Sequence, residues 1–326
     1  MRAALVHRPG EAPAVGDRPD AVAAPGRTLV RTTAAPVVPL DVLAASGTSY
    51  FGRPATPYVP GVQGVGVVVD SQVHPAGIRV WCATSAGMAP GDGALAELCS
   101  VADADVVPLG AVDVGDAALA ALGLSAVAAW ACLAWRAGLA AGERVAVLGG
   151  GGAVGQAGIG AARVLGAGRV VAVCRGDAAA ARAREAGADE VLVGVPPAEL
   201  TDALRDAAGG PVDVVLDPVF GEVAEAACAA LGDHGRLVNL GGSAGDTARL
   251  SSAALRSRSI SVLGHTNNAL SPRQRADALL AVADHAAAGR VAVAHRVVPL
   301  DDVGRAWGET AAGRAAPRWV VGFAGP

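Results

Sequence analysis

The 326-residue sequence contains no lysine; all 26 of its basic residues are arginine. That absence excludes chemistry that needs an ε-amino group: a P-loop lysine on a nucleotide phosphate, a Schiff base with a carbonyl substrate, or a Tyr-x-x-x-Lys catalytic pair. Cysteine is scarce, and no two cysteines form a CxxC pair. Cys82, Cys99, Cys132, Cys174 and Cys228 lie mostly in apolar runs, which reads as buried free thiols in a reducing cytoplasm. The six histidines (His7, His74, His234, His265, His285 and His295) are scattered without metal-ligand spacing. Only two tyrosines occur, Tyr50 and Tyr58, so few phenolic acids are available. A formal net charge of −4 with no basic patch argues against a nucleic-acid partner. The first residues, "MRAALVHRPGEAP", lack the apolar run of a secretory signal.

One uncharged run, Ala117 to Trp135 ("AALAALGLSAVAAWACLAW"), is long enough to raise a membrane helix. Alanine is weakly apolar, and Gly123-Leu124-Ser125 interrupts the run. Ser125 can cap a new helix, so the expectation is two short buried helices and no membrane span.

What is present is organised in two rhythms. Up to about residue 115, Pro- and Gly-rich turns separate short β-branched runs such as "TLVRTTAAPVV" (28–38), "GVGVVVD" (64–70) and "IRVWCA" (78–83), as in a small barrel. From about residue 143, apolar strands alternate with alanine-rich helical segments. The strands are "RVAVL" (144–148), "RVVAVC" (169–174), "EVLVG" (190–194), "VDVVLD" (212–217), "GRLVNLG" (235–241) and "SISVLG" (259–264). Continuous apolar strands are expected where helices cover both faces of a parallel sheet. A helical pattern (271–288), "AHRVVPL" (294–300), a short helix (301–312) and "PRWVVGF" (317–323) close the chain.

The stretch Gly150-Gly151-Gly152-Ala153-Val154-Gly155 satisfies GxGxxG, with a strand before it and a helix and second strand after it. In that context the glycines allow a tight turn and let backbone N–H groups reach a pyrophosphate at a helix N-terminus. Gly150, Gly152, Ala153, Val154 and Gly155 are therefore candidate cofactor contacts. Small residues at Ala157, Gly158, Ala161 and Ala162 would let that helix pack close to the sheet. Arg175 stands about twenty residues beyond Gly155, where an NAD-binding chain usually carries an acid for the ribose 2′-hydroxyl. An arginine there suits a 2′-phosphate, so NADP (NADPH) is expected over NAD. Asp177 is the alternative ribose acid.

With these pieces the chain resembles the medium-chain dehydrogenase/reductase superfamily, most closely its zinc-independent quinone oxidoreductase branch. The similarity is carried by "VVPLDVLAASG" (37–47), "PYVPGVQGVGVV" (57–68), "GDGALAELCSV" (91–101), "VLGGGGAVGQAG" (147–158), "VDVVLDPVFG" (212–221), "GRLVNLGG" (235–242) and "AHRVVPLDDVGRAWGETAAGRAAPRWVV" (294–321). The resemblance implies an α/β chain: a Rossmann doubly wound parallel sheet plus a GroES-like partial β-barrel. Residues 1–118 and 265–326 would form the GroES-like catalytic domain, and 119–264 the Rossmann NADP-binding domain. It also implies Val219, Leu240, Gly241, Thr266 and Asn267 as cofactor contacts, a small-molecule substrate, and a cytoplasmic homodimer paired through "SISVLG".

Val38 stands in the region of the family's first zinc-ligating cysteine, and Val62-Gln63 stands at its His-Glu pair, so no metal is expected. The implied reaction is NADPH-dependent reduction of a quinone or an α,β-unsaturated carbonyl. Tyr50 in "SGTSYFGRP" is the candidate proton donor, with Tyr58 or water as alternatives. His265 could relay a proton or act structurally. The sequence departs from the family at Val38 (for Asn), Gln63 (for Glu), Ala128 (for Thr) and the shortened "GIRV" turn (77–80). Two other readings follow from this depleted cleft: a specialised biosynthetic ene- or imine-reductase, or an NADPH-binding protein without turnover.

Overall fold

The computed structural model describes residues 1–314 and 316–323. The chain folds as two compact units. The first begins with a hairpin of β1 (Arg2–Leu5) and β2 (Ala14–Asp17). It continues through β3 (Arg27–Pro36), helix α1 (Pro39–Ser46), β4 (Gln63–Asp70), β5 (Arg79–Ala83), β6 (Leu98–Ala102) and β7 (Val106–Pro108). Helix α2 (Asp116–Trp130) follows and runs into a π-helical turn, Ala131–Arg136. The second unit supplies six strands and five of its helices in alternation: β8 (Arg144–Leu148), α3 (Ala153–Val164), β9 (Arg169–Cys174), α4 (Asp177–Glu185), β10 (Glu190–Val193), α5 (Pro197–Ala208), β11 (Val212–Asp217), α6 (Gly221–Ala230), β12 (Leu231–Asn239), α7 (Ser252–Ser257) and β13 (Ser261–Gly264). Helix α8 (Pro272–Ala287) belongs to this unit too. The chain then returns to the first unit with β14 (His295–Val298), α9 (Val303–Ala311) and β15 (Arg318–Gly322).

In the first unit the strand order is β14-β15-β3-β4-β5-β7, with β6 also paired to β3. Only β14 and β15 run parallel; the other pairings are antiparallel. The alternating burial of β3 shows why: Thr28, Val30 and Thr32 face inward, while Arg27 and Arg31 face water. The core gathers Val30, Val68, Val80, Leu95, Trp307 and Trp319. This is the mainly antiparallel β unit expected from the turn-rich first rhythm.

In the second unit all five pairings are parallel, in the order β10-β9-β8-β11-β12-β13. This is the doubly wound Rossmann order, in which successive strands are added to one side of β8 and then, from β11, to the other. Val145–Leu148, Val170–Cys174 and Val214–Asp217 are fully or almost fully buried, as expected for strands covered on both faces. Strand β13 forms one edge, and its Val262 is exposed.

The segment Asp116–Arg136 is long and apolar enough to cross a membrane, but 72% of an 18-residue apolar window within it is buried. That burial is the signature of a core helix. The helix breaks at Gly123 (φ 28°, ψ −130°), two residues before the expected cap at Ser125. A Cβ at Gly123 would lie 1.9 Å from Gln63 Oε1, so the side-chain amide of Gln63 occupies the space that only glycine leaves open.

The second unit runs from Leu124 to Val293. Its far limit differs from the sequence expectation, which placed residues 265 onward in the barrel domain. Helix α8 accounts for the difference. It buries Ala278, Leu279, Val282 and Ala283, and the Trp130 and His285 rings lie 5.6 Å apart. The chain after α8 closes on α3, where a Cβ at Gly160 would lie 2.9 Å from the Arg290 carbonyl. A helical pattern marks where α8 is, but not which unit it packs against.

All five cysteines are buried and free. Burial pushes the Cys132 thiol up to about 12, so it stays protonated at neutral pH.

Candidate functional site

The glycine stretch lies between the end of β8 and the start of α3. Gly149 turns the chain with φ 63°. A Cβ at Gly150 would lie 2.7 Å from the Ala172 side chain, and one at Gly155 would lie 2.3 Å from the Gly149 carbonyl oxygen. Gly155 is glycine because backbone meets backbone there, and Gly150 because the Ala172 side chain leaves no room for a Cβ. One turn further on, a Cβ at Gly158 would lie 2.3 Å from Leu216, so α3 packs directly on β11. Ala157, Gly158, Ala161 and Ala162 are all buried, as the small-residue pattern anticipated.

The turn is held from below. Gln156 is buried and donates through Nε2 to the carbonyls of Gly151 (3.0 Å) and Gly152 (3.3 Å). Arg182 on α4 donates to the Gly151 carbonyl at 2.9 Å. The first helical bond of α3 runs from Gln156 N to Gly152 O at 2.9 Å. The amides of Ala153, Val154 and Gly155 precede it, and Gly152 at the cap has no side chain to engage them. With the carbonyls pinned inward, this end of α3 presents N–H groups and a partial positive charge to an anion. Sequence reasoning missed Gln156 and Arg182 as supports. Nothing in the sequence marks either contact, because both depend on how α3 and α4 pack around the turn.

Arg175 follows β9, at the same end of the parallel sheet as the turn. Its side chain is exposed, and among the described residues no hydrogen bond or ion pair engages its guanidinium. Asp177 opens α4 and is also exposed.

The third side of this face comes from β11 and β12. Asp217 is fully buried, and its Oδ1 accepts from Val219 N (3.0 Å) and Phe220 N (2.8 Å). Asn239 Nδ2 donates to Asp217 Oδ2 (3.1 Å) and to the Gly241 carbonyl (2.7 Å). Burial raises the Asp217 pKa, opposed by those amide and Asn239 bonds. The pair sets the Val219 and Leu240-Gly241 turns side by side: a Cβ at Gly241 would lie 2.7 Å from the Pro218 carbonyl, and one at Gly149 would lie 3.0 Å from Val219. The structure therefore gathers Gly150–Gly155, Val219, Leu240 and Gly241 at one end of the sheet.

Thr266 and Asn267 follow β13. The Thr266 hydroxyl accepts from Asn268 N at 3.3 Å. Asn267 bridges the ring of His265 (Nε2 to Oδ1, 3.1 Å) to the Leu124 carbonyl, to which its Nδ2 donates at 2.9 Å. Burial holds the His265 pKa below its ordinary value, so its ring is neutral at pH 7. Arg136 lies nearby and donates to the Gly264 carbonyl at 3.0 Å.

In the first unit, Tyr50 sits on the turn after α1, 81% exposed, with its ring centroid 4.1 Å from that of Phe51. Tyr58 is the opposite case: it is enclosed, and among the described residues its hydroxyl has no hydrogen-bond partner. Burial and the nearby Asp41 carboxylate push its pKa well up. Asp41 is itself buried. Its Oδ2 accepts from Val38 N (2.9 Å), and its Oδ1 from Gly61 N (3.1 Å) and Val62 N (2.9 Å). Gln63 accepts from Trp81 Nε1 at 3.3 Å.

Two family models match the chain. Residues 24–111 match the alcohol dehydrogenase GroES-like domain, and residues 153–284 match a domain described as zinc-binding dehydrogenase. The chain belongs to the medium-chain dehydrogenase/reductase superfamily. No curated protein sequence matches it. A cobalt- and zinc-bound thermostable alcohol dehydrogenase from Pyrobaculum aerophilum is similar at 28% identity, with 99% of each chain covered and a TM-score of 0.82. A mycobacterial quinone oxidoreductase has the same fold at 23% identity, with 99% of this chain and 100% of the other covered and a TM-score of 0.86. An alcohol dehydrogenase superfamily protein from Novosphingobium aromaticivorans matches equally widely, at 23% identity and a TM-score of 0.85.

A superfamily that includes zinc enzymes raises the question of a metal. The residues here do not fit one. Val38 and Val62 offer no ligand atoms, and both oxygens of Asp41 are taken up by three backbone amides. Among the described residues no group of three His, Cys, Asp or Glu side chains converges.

Proposed function

We propose that this superfamily member is an NADPH-dependent reductase of quinones or α,β-unsaturated carbonyls that works without zinc. The observation that carries the reading is the pinned glycine turn, with the α3 amides ahead of it and the unpaired Arg175 at the same end of the sheet. NADPH, when bound, supplies a hydride to the β-carbon of a conjugated carbonyl. The amides of Ala153, Val154 and Gly155 would hold its pyrophosphate. Arg175 would take the 2′-phosphate with a planar, charged fork. The Asp217–Asn239 clamp would keep the Val219 and Gly241 turns in place as a wall of the nucleotide site. Leu240 stands in the same wall, and Thr266 and Asn267 begin the next loop. In support, a mycobacterial structure with this fold, at 23% identity, is a complex with NADPH.

The substrate's α-carbon needs a proton. Tyr58 is enclosed and its hydroxyl resists ionisation, which leaves Tyr50 or water as the donor. The test is substrate-dependent NADPH oxidation across quinones, enones, imines and simple alcohols, with protein dialysed against chelator. Turnover of quinones or enones is expected, and a Tyr50→Phe protein should lose about 10-fold or more in kcat if Tyr50 is the acid. NADPH binding without turnover of any substrate overturns the enzymatic reading, and zinc-stimulated alcohol oxidation overturns the metal-free one.

The cofactor preference has its own test. Arg175→Ala should weaken NADPH binding by roughly 10- to 100-fold, the range of a lost charge-assisted hydrogen bond, and leave NADH binding nearly unchanged. Fluorescence titration with both dinucleotides reads the ratio. Equal affinities for the parent protein would overturn the preference, and tighter NADH binding would assign the ribose to Asp177 instead.

A further inference from the structure

The opposite end of the Rossmann sheet carries a second basic feature, which the dinucleotide site does not use. A cavity of about 320 Å³ opens beside the N-terminal ends of β8, β11 and β12. Arg144, Arg205 and Arg258 line it, together with Asp213 and Asp233.

The arginines are unusual in how they are satisfied. Arg205 donates through Nη2 to the Ala229 carbonyl at 2.6 Å, and Arg258 donates through Nη1 to the same oxygen at 3.0 Å. Arg258 also donates to the Leu231 carbonyl. Two guanidinium cations thus converge on one carbonyl near the end of α6. One donor would suffice to cap that carbonyl; the second brings a like charge beside the first. Arg144 makes a single marginal contact, 3.5 Å to the Pro211 carbonyl, and lies against Gly210.

The two carboxylates offset this charge only in part and without direct contact. Among the described residues no ion pair within 4.0 Å engages Arg144, Arg205 or Arg258. Asp213 turns Oδ2 to the Arg144 backbone amide at 2.8 Å, and Asp233 stands exposed at the rim. Arg205 Nε is buried without a partner. Each guanidinium has five N–H donors, so most of this donor capacity is unspent. The backbone is strained at the same place: His234 (φ 58°) and Ser259 (φ 51°) flank Asp233 and Arg258, and His234 N donates to the Arg258 carbonyl at 2.6 Å.

We propose that this cavity binds a phosphate group, free or carried as a monoester on a small molecule. A dianionic oxoanion would bridge the converging guanidiniums, relieve their repulsion and accept several charge-assisted hydrogen bonds at once. The cavity exceeds the size of phosphate alone, which leaves room for a small organic ester. The site is separate from the glycine turn, so the inference does not depend on the dinucleotide reading.

The experiment is calorimetric titration of the full-length protein with inorganic phosphate, glycerol 3-phosphate and, as a control, glycerol, at matched ionic strength. Saturable binding of either phosphate compound is expected, and which binds more tightly tells free phosphate from ester. Arg258→Gln and, with fewer structural contacts at stake, Arg144→Gln should each weaken it at least 10-fold. Asp233→Asn, which removes a repelling rim charge, should tighten it several-fold. Arg175→Ala, at the other end of the sheet, should change nothing. The proposal is overturned if no saturable binding occurs, if Arg144→Gln and Asp233→Asn both leave it unaltered, or if Arg175→Ala abolishes it, since the phosphate would then sit at the nucleotide end.

Discussion

Alanine in place of Gly155 should weaken NADPH binding at least 100-fold and lower the melting temperature by several degrees. The added Cβ would stand 2.3 Å from the Gly149 carbonyl oxygen and 2.7 Å from Gly150 Cα. Both are backbone atoms of the turn itself, so no side chain can rotate to make room. Overpacking of this kind destabilises by about 1–3 kcal/mol. Relief requires opening the turn, which moves the α3 amides away from the position a pyrophosphate would take. A 100-fold loss corresponds to about 2.7 kcal/mol, within reach of several misplaced hydrogen bonds to an anion. Gly308→Ala is the control, because nothing lies within 4 Å of a Cβ there. It should be neutral or slightly stabilising. A Gly155→Ala protein that binds NADPH like the parent would show that the turn does not hold the cofactor.

The second large effect is expected at Asp41. Asp41→Ala removes the acceptor of three buried backbone amides, at Val38, Gly61 and Val62. It also removes the carboxylate that acts electrostatically on the buried Arg318, whose pKa burial has lowered to about 10. Loss of such a buried centre costs about 3–5 kcal/mol, which for a chain of this size lowers the melting temperature by about 10 °C. A variant melting within 2 °C of the parent would remove Asp41 as an organiser of the α1 cap.

Asp41 also gives the fold a pH dependence with a definite sign. Burial pushes its folded pKa up to about 6, while the amide bonds and Arg318 oppose the rise. Between about pH 4 and pH 6 the folded chain therefore holds a proton that the unfolded chain has released. Stability from this group is complete at the acid end of that window and falls as pH rises through it, by roughly 3 kcal/mol in total. Thermal melts across pH 4–7 should show that slope in the parent and a flatter one in Asp41→Asn. Identical slopes in the two proteins would count against it.

How much of this was legible beforehand differs element by element. The period change near residue 143 is a local signal, and it located the strands from β8 to β13 and the parallel sheet that joins them. The glycine fingerprint was legible for the same reason: a strand, a tight turn and a small-residue helix follow one another along the chain. Arg175 could be placed by counting from Gly155. The supports of the site could not. Gln156 and Arg182 meet on the Gly151 carbonyl from different helices, and Asn239 reaches Asp217 across 22 residues. No periodicity encodes which carbonyl a distant amide or guanidinium will meet.

The sequence by itself therefore determined the architecture, the family and the backbone shape of the glycine turn. These depend on hydrophobic period and on the one residue type that lacks a Cβ. Only the tertiary structure decided that α8 belongs with the parallel sheet, that Asp41 satisfies the backbone amides of Val38, Gly61 and Val62, and that Arg205 and Arg258 converge on a single oxygen. Each of those is a long-range contact, set by how packed elements bring together groups that are far apart in the chain.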